Sequence, residues 1–298
     1  MNDKKNKFLL FIIFLMIFIF NGCATIVYKT IPLRNIAKAK GPYFVGTQNF
    51  QFVDASRKMW FSEDIKGSRK LSVKMWYTAD NITSLKKAPY LNKHKLIGSA
   101  ISKLFGVPEA LMDRAGGVKC NSWLNAVPAN GKFPIIIYSH GHQSIKIANT
   151  SQAEEMASNG YIVVAMDHSY DAALTILDED KIIYSRSKLP ANDEEALQDS
   201  MILRVKNQLK IRTEDVSFVI DELKIMFEKD KRFSQVADFD KIGIFGHSFG
   251  GCTSIMSAYN DTRIDAVIGL DAYFLPLPKE IIKKDLNTPF VHLGQVSW

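Results

Sequence analysis

The chain has 298 residues, of which 47% are hydrophobic and 23% are charged, and its formal net charge is +7 at pH 7. A chain of this length and apolar content can bury a large core, which excludes an intrinsically disordered protein. The 38 basic residues are interspersed with 31 acidic ones. No long block of one sign is present, so the charge favours a solvated basic surface over a nucleic-acid-binding tail.

The first 22 residues have the pattern of an export signal. The basic stretch MNDKKNK precedes an apolar run from Phe8 to Phe20, which is short for a membrane span. The following Gly22-Cys23 resembles the lipobox of bacterial lipoproteins, in which the cysteine becomes lipidated and N-terminal. We therefore predict an exported, membrane-anchored lipoprotein of the outer membrane or cell surface that is lipidated at Cys23. A cleaved periplasmic or secreted form and an uncleaved anchor remain as alternatives.

The chain after Cys23 is predicted to be a tether over residues 23–40 and one domain over residues 41–298. Two early segments, FQFVD (50–54) and LSVKMWY (71–77), alternate like antiparallel strands and are expected at the N-terminal edge of a sheet. The segment 85–105 combines five lysines with apolar residues. It is interpreted either as a lid or membrane-facing element or, preferably, as a surface helix with its apolar side on the core.

Beyond residue 133, short β-branched runs alternate with helical patterns. Five continuous apolar runs have the length of buried parallel strands: 134–141, 161–168, 241–248, 265–272 and 289–296. Between them, a helix from Ser151 to Asn159 is expected to open with a Ser151/Glu154 capping box and to end at Gly160. A long amphipathic helix is expected from residue 192 or 193 to about Glu228. This alternation predicts an α/β domain with a mainly parallel sheet and helices on both faces.

The segment KIGIFGHSFGGC (241–252) contains the pattern G-x-S-x-G at residues 246–250, between a predicted strand and a predicted helix. This context predicts a tight turn in which Ser248 has a strained backbone and acts as a nucleophile. Gly246 and Gly250 are the elbow glycines, because side chains there would collide with the neighbouring strand and helix. A glycine-rich turn without chemistry is the alternative.

A serine nucleophile requires a base, an acid that orients the base, and donors for the developing oxyanion. Asp271, at the end of the next predicted strand, is the expected acid, with a turn or N-cap aspartate as the alternative. The backbone N–H groups of Phe249 and His142 are the expected oxyanion donors, with Gly141 permitting an unusual backbone between them. His140 and His142 form an H-x-H pair, but no further ligand follows at suitable spacing. We therefore predict no metal and no cofactor.

Two cysteines remain in the predicted domain if Cys23 is lipidated. Cys120 lies in the loop-like GGVKCNSW, whereas Cys252 lies at the start of the helix behind Ser248. Because these settings differ, two free thiols are expected rather than a disulfide.

Five motifs stand out along the chain: GPYFVG (41–46), YSHGH (138–142), VVAMDH (163–168), KIGIFGHSFGG (241–251) and GLDAYFLPL (269–277). Together they resemble the platelet-activating factor acetylhydrolases of the plasma and intracellular type II kind. The resemblance implies an α/β-hydrolase fold and a calcium-independent serine phospholipase A2 that hydrolyses the sn-2 ester of phospholipids with short or oxidised acyl chains. It also implies Ser248 as nucleophile, Asp271 as acid, and His142 and Phe249 as oxyanion donors. His142 departs from the family, which often has an apolar residue there.

The triad histidine of this family should follow the acid by several tens of residues, yet only His292 follows Asp271. The pattern around His292 places it on a sheet face, and His140 and His168 are expected to make local hydrogen bonds. Either the sequence is a truncated piece that lacks the last strand, histidine loop and helix of the fold, which we favour, or the 298-residue form lacks its base and is inactive.

The function predicted from the sequence is that of an exported carboxylic-ester hydrolase acting at lipid surfaces. A general exported esterase or polyester hydrolase is the alternative among enzymes, because this fold serves many acyl esters. A catalytically inactive lipid-associated envelope protein is the alternative outside them. The expected partners are a lipid or ester substrate and the membrane, with no nucleic acid, and the sequence does not indicate an oligomeric state.

Overall fold

The computed structural model describes residues 36–83, 85–106, 108–109, 116–191, 193–196, 198–283 and 286–295. The predicted signal peptide, Cys23 and most of the predicted tether lie outside these residues. The described chain divides into two compact units. The larger unit comprises the described residues of 36–88 and 120–295, and the smaller one those of 89–119.

Ten of the described strands form one sheet, and two more form a separate hairpin. In chain order the strands are β1 (Phe44–Lys58), β2 (Ser68–Asn81), β3 (Lys87–Pro89), β4 (Lys119–Leu124), β5 (Val127–Pro128), β6 (Phe133–Ser139), β7 (Ile162–Asp167), β8 (Leu174–Ile176), β9 (Ile182–Tyr184), β10 (Ala237–His247), β11 (Ile264–Leu270) and β12 (Phe290–Leu293). The hairpin consists of β8 and β9.

The order of strands in the sheet is β12-β11-β10-β6-β7-β2-β1-β4-β3, with β5 paired to β2. The five strands from β12 to β7 are parallel, as the continuous apolar runs predicted. β1 and β2 are antiparallel, as expected, but they are not the edge of the sheet, because β4 and β3 continue beyond β1. The order reverses between β6 and β10, and ligands of open α/β sheets bind at the carboxyl ends of strands at such a reversal.

Six α-helices and one 3₁₀-helix, Asp178–Asp180, accompany the strands in the described part of the chain, and the α-helices are numbered in chain order. They are α1 (His94–Phe105), α2 (Thr150–Ser158), α3 (Asp193–Ala196), α4 (Asp199–Lys229), α5 (Phe249–Asn260) and α6 (Lys279–Lys283). The predicted long helix is therefore two helices, α3 and α4. The predicted capping box of α2 is wrong: Asn149 is the N-cap, and the buried Glu154 carboxylate instead accepts hydrogen bonds from the Asn121 and Ser122 amides. Gly160 has the expected left-handed φ, +92°.

Helices pack on both faces of the parallel sheet, but one face stays open over β11 and β12, where Ile268, Val291 and Leu293 are exposed. The larger core cluster joins apolar residues of α4 and α5 to one face, for example Val216, Leu223 and Ile255 with Ile137 and Ile244 of the sheet. A smaller cluster joins α2 to the other face through Ala153 and Ala157. The predicted mainly parallel α/β architecture is thus confirmed.

Helix α1 belongs to the smaller unit. It has an apolar side on which Ile97 and Ala100 are buried, whereas Leu104 on its last turn is 42% exposed. None of the helices in the described residues has the length and apolar character that a membrane span requires.

Cys120 and Cys252 are both free thiols and both buried, as predicted. Burial raises the pKa of the Cys120 thiol to about 12 and also raises that of Cys252. Neither thiol therefore has the exposed, thiolate-favouring surroundings of a reactive cysteine.

Candidate active site

Ser248 occupies the turn between β10 and α5 in a strained backbone conformation. Its φ is +53° and its ψ is −118°, outside the regions that non-glycine residues normally adopt. Two backbone hydrogen bonds link this turn to β11 and the residues after it: the Ser248 N–H donates to the Leu270 carbonyl at 2.9 Å, and the Tyr273 N–H donates to the Ser248 carbonyl at 3.0 Å. Because the surrounding backbone fixes the strained residue, its side chain is presented at the carboxyl end of the sheet.

The two elbow glycines are required by close approach. A Cβ at Gly246 would lie 2.2 Å from the Gly250 carbonyl oxygen, and a Cβ at Gly250 would lie 2.0 Å from the Ser139 carbonyl oxygen. Neither glycine has a left-handed φ. Gly251 also permits close packing, because a Cβ there would lie 2.6 Å from the Ala272 methyl group. Helix α5 therefore contacts the β6 backbone directly.

The loop after β6 lies against the elbow, as the reversal of strand order requires. A Cβ built on Gly141 would be 3.6 Å from Ser248 Cβ and 3.1 Å from His247 Nδ1. Gly141 does not have a left-handed φ; in this loop Gln143 has one, +50°. A side chain at residue 141 would meet His247 closely, so the two turns lie near each other.

The two amides predicted as oxyanion donors lie on these two turns. The Phe249 N–H is the first of α5, and the first amides of a helix have no intrahelical acceptor. His142 follows Gly141 directly. Among the described residues, neither amide donates to another protein group. Within the described residues, no protein acceptor therefore competes with a substrate oxygen for either N–H group.

Asp271 follows β11 directly, as predicted, and its φ is +50°. Its N–H donates to the Leu293 carbonyl at 2.6 Å, and the Gln295 N–H approaches its Oδ1 at 3.4 Å. Asp271 therefore lies one residue beyond the Leu270 carbonyl that anchors Ser248. Ser248 directly follows β10 and Asp271 directly follows β11. Because these strands are adjacent and parallel, both residues lie at the same end of the sheet.

The described histidines do not complete a triad, because none of them has a hydrogen bond to Ser248 or Asp271. His292 is exposed, and its Nε2 accepts a hydrogen bond from the Ala272 N–H at 3.2 Å. His140 and His168 make local hydrogen bonds, as predicted. The predicted H-x-H pair is not part of a cluster of three or more metal-ligating side chains, and the described residues contain no such cluster elsewhere.

Beneath the loop after β6 lies a buried polar network that the sequence did not predict. His168 Nδ1 is 2.9 Å from Asp215 Oδ2, and His168 Nε2 is 3.0 Å from Ser139 Oγ. The Arg69 guanidinium binds both oxygens of Asp215. All four side chains are buried. Although this serine, histidine and aspartate are connected in the manner of a triad, Ser139 is inaccessible to a substrate.

The electrostatics of this network favour one protonation state. Burial lowers the pKa of His168 to about 4, and the nearby Arg212 charge adds to the effect, so the ring is neutral at pH 7. Burial alone would raise the pKa of Asp215, but the charge and hydrogen bonds of Arg69 hold it below its usual range. A neutral His168 therefore donates from Nδ1 to the Asp215 carboxylate and accepts the Ser139 hydroxyl proton at Nε2.

The His142 side chain lies in a partly buried polar environment. Its Nε2 is buried without a hydrogen-bond partner, as is Oδ2 of Asp171. Burial lowers the pKa of His142, while the charge of Asp171 and a hydrogen bond to the Ser187 backbone oppose this shift. His142 thus brings a polar side chain to a position where the family often has an apolar residue.

The strained serine follows a parallel strand at the reversal of strand order, and it lies beside a close-packed loop. This arrangement defines the α/β-hydrolase class. A family model described as "Platelet-activating factor acetylhydrolase, isoform II" matches residues 29–298. The chain belongs to this family.

Relatives and solved structures agree with this assignment. The chain is 25% identical to a platelet-activating factor acetylhydrolase of Gallus gallus over 88% of this chain and 66% of that protein. It is 27% identical to a "Probable 1-alkyl-2-acetylglycerophosphocholine esterase" of Arthroderma benhamiae over 48% of this chain and 32% of that protein. The solved structure of a ferulic acid esterase from Streptomyces cinnamoneus is similar, with a TM-score of 0.69 and 27% identity over 88% of this chain and 68% of that chain. The chain thus spans 66% of the length of the first of these curated relatives and 32% of the length of the second.

Proposed function

We propose that the protein is a serine ester hydrolase that cleaves the sn-2 ester of phospholipids with short or oxidised acyl chains. The observation that carries this proposal is the conformation of Ser248, with a φ of +53° at the turn into α5. Strain of this kind is kept where it orients a reacting group. The contact of this turn with the Gly141 loop supports an oxyanion site beside the serine.

In the proposed reaction the Ser248 hydroxyl attacks the ester carbonyl. The negative charge that develops on the carbonyl oxygen is held by the N–H groups of His142 and Phe249, which stabilise it without reorganisation. The alcohol leaves, Ser248 carries the acyl group, and water releases it. In both steps an imidazole accepts a proton and passes it on: the proton of the Ser248 hydroxyl goes to the leaving alcohol, and the proton of the attacking water goes to Ser248 Oγ. Asp271 is the proposed acid that orients this imidazole.

Family membership and the names of the relatives support the substrate class. A substrate with a short acyl group matches the names of both curated relatives, which specify an acetyl ester. The observation that favours a second candidate, an esterase for non-lipid esters, is the similarity to the ferulic acid esterase, 68% of whose chain is covered. A single scaffold can serve both substrate classes.

The experiment compares three substrates: a short-chain phosphatidylcholine, an aryl acetate and an ethyl ferulate ester. The proposed function predicts the highest kcat/KM for the phospholipid and loss of all three activities in Ser248→Ala. Ser254→Ala is the matched control, because this buried α5 serine donates to the Gly250 carbonyl and takes no part in the reaction.

The outcomes separate the candidates. Equal kcat/KM values for the phospholipid and the aryl ester would contradict phospholipase specialisation, and preference for the ferulate ester would favour the second candidate. A folded wild type that neither hydrolyses these esters nor reacts with a fluorophosphonate at Ser248 would support an inactive lipid-associated protein for this 298-residue form.

We also propose that the protein is exported and anchored to a membrane through a lipid on Cys23. The support is in the sequence: a basic start, an apolar run and a Gly-Cys pair at residues 22–23. A single acyl chain gives only marginal membrane binding, so stable anchoring requires more than one chain. Such an anchor would hold the site at the lipid surface, where the proposed substrate resides.

A further inference from the structure

Arg212 contacts the segments that carry both proposed oxyanion donors. It is fully buried in α4, a helix far from the elbow in sequence. Its Nη2 donates to the His140 carbonyl oxygen and, at 3.1 Å, to Ser139 Oγ. Its guanidinium carbon lies 4.8 Å from the centre of the Phe249 ring. One side chain thus touches the loop after β6 and the first residue of α5.

The orientation of the guanidinium is fixed from its other side. Nη1 of Arg212 donates to Asp171 Oδ1 at 2.6 Å, and both side chains are fully buried. Charge-assisted hydrogen bonds of a planar guanidinium have defined directions, which an ammonium group on a flexible stem does not reproduce. Arg212 therefore acts as a rigid support between Asp171 and the His140 carbonyl.

The His140 side chain extends this restraint to the next peptide. Its Nδ1 is 2.7 Å from the Gly141 carbonyl oxygen, and its Nε2 is 3.2 Å from the backbone nitrogen of His168. Because the His168 N–H must donate, Nε2 is the acceptor and Nδ1 carries the proton that is donated to Gly141. Burial and the Arg212 charge lower the pKa of His140, which keeps the ring in this neutral form.

The Gly141 carbonyl and the His142 N–H belong to one peptide group. In a planar trans peptide the carbonyl and the N–H point in opposite directions. When hydrogen bonds fix the carbonyl of a peptide group, the direction of its N–H is therefore fixed as well. The Gly141 oxygen accepts from His140 Nδ1 and also from the Ser144 N–H at 3.1 Å. The direction of the His142 N–H is therefore set by contacts on the far side of its peptide.

We propose that Arg212 is a positioning residue that aligns the His142 and Phe249 amides into one oxyanion hole. It does so by holding the His140 carbonyl and the Phe249 ring from a single buried position. This inference rests on the proposed ester-hydrolase function, because an oxyanion hole has a role only in acyl transfer.

The kinetic test uses Arg212→Lys, Arg212→Met and Arg212→Ala, with Arg263→Met as the matched control. Arg263 also makes several hydrogen bonds, to Asp261, Asp221 and Ser217, but lies beyond the far end of α5. Loss of one oxyanion donor typically lowers kcat by about 10² to 10³. We expect Arg212→Met to lower kcat for an aryl acetate by about 10²-fold with little change in KM, because the contact matters in the transition state.

Two further kinetic results distinguish positioning from a merely structural role. Arg212→Lys is expected to recover only part of kcat, and millimolar guanidinium is expected to restore part of the rate of Arg212→Ala, whereas urea at the same concentration is not. Arg263→Met is expected to keep the wild-type kcat. A folded Arg212→Met variant with wild-type kcat, or one whose KM rises while kcat is unchanged, would overturn the proposal.

Amide hydrogen exchange tests the same proposal without activity. In Arg212→Lys we expect faster exchange confined to residues 139–149 and the start of α5, with wild-type exchange in Arg263→Met. Unchanged exchange in those segments would overturn the proposal even if every variant is inactive. If wild type hydrolyses no ester and yet Arg212→Lys loosens these segments, the proposed function fails while the positioning contact stands.

Discussion

The peptide N–H of Ser248 donates a 2.9 Å hydrogen bond to the carbonyl of Leu270, the residue before Asp271. The strained turn after β10 is thereby fixed to the end of β11, and the Tyr273 N–H returns a hydrogen bond to the Ser248 carbonyl. The proposed nucleophile and the proposed acid are held by one backbone connection between adjacent parallel strands. Their relative position thus depends on the sheet itself.

The first prediction concerns the contact between α5 and β6. Gly250→Ala is expected to lower the free energy of unfolding by about 3 kcal/mol or more, because its Cβ would meet the Ser139 carbonyl oxygen at 2.0 Å. Gly243→Ala is the control: its Cβ would be 3.7 Å from the nearest atom, an ordinary contact. Urea unfolding measures both, and equal midpoints for the two variants would contradict the proposed steric requirement.

The second prediction concerns the missing base. Since no described histidine is hydrogen-bonded to Ser248 or Asp271, we expect imidazole in solution to accelerate aryl-ester hydrolysis by the 298-residue protein. The acceleration is measured against Ser248→Ala, which corrects for catalysis by imidazole alone. An imidazole effect of equal size in Ser248→Ala would show that the serine takes no part.

The same assay tests Asp271. A carboxylate that orients an imidazole makes that imidazole a more effective base. In an intact triad, removal of the carboxylate lowers kcat by up to about 10⁴-fold. With imidazole free in solution we expect a smaller loss in Asp271→Asn, roughly tenfold, in the imidazole-dependent rate. Asp240→Asn, an exposed aspartate of β10, is the control. Equal rates in the two variants would remove Asp271 from the proposed site.

The elbow could be predicted from the sequence because its determinants are local. The turn, its two glycines and the strand before it lie within residues 241–252, and Asp271 follows from the end of the next apolar run. These features require only the period of buried strands and the spacing of one motif.

The buried polar network around Asp215 and Arg212 could not be predicted, because in the sequence its α4 residues have the pattern of a solvent-exposed helix face. On α4 the pattern suggested apolar residues on one side and charge on the other, yet Gln208, Arg212 and Asp215 are all fully buried. Each finds its partner on a segment distant in sequence, as Arg212 does at His140. The predicted capping role of Glu154 is wrong for the same reason. Its carboxylate accepts hydrogen bonds from the Asn121 and Ser122 amides of β4, which are distant in sequence.

The third prediction is a pH dependence of stability. The pKa of His168 is about 4 in the fold, below its ordinary value of 6.5. The folded state therefore binds fewer protons, so the stabilisation is complete above pH 6.5 and is lost as the pH falls toward 4. The full difference is roughly 3 kcal/mol. His140 contributes in the same direction, and the charges that face His168 are those of Asp215, Asp171 and Arg212.

Urea unfolding at pH 7 and pH 4.5 measures this effect. His168→Asn is expected to be less stable than wild type at pH 7 and to lose less stability between the two pH values. His94→Asn, in the smaller unit and outside the Asp215 network, is the control and should keep the wild-type difference. A His168→Asn variant with the wild-type pH dependence would contradict the assignment of a depressed pKa to His168.

The fourth prediction concerns lipidation. Cys120 and Cys252 are buried, and their raised pKa values disfavour the thiolate, so neither offers a site for acylation in the folded protein. All incorporation of radiolabelled palmitate in a bacterial host is therefore expected at Cys23. Cys23→Ser should abolish the label and move the protein from the membrane fraction to the soluble or secreted fraction.

Cys252→Ala is the matched control for this experiment, because it removes a thiol without touching the predicted lipobox. It should retain both the label and membrane association. Loss of label in Cys23→Ser without release from the membrane would indicate an uncleaved apolar segment as the anchor, whereas wild-type protein that carries no label and is soluble would indicate a cleaved, exported form. Because each form leaves a different N-terminal residue, sequencing of the mature N-terminus decides between them: a lipidated Cys23 has a blocked N-terminus, and an uncleaved chain begins at residue 1.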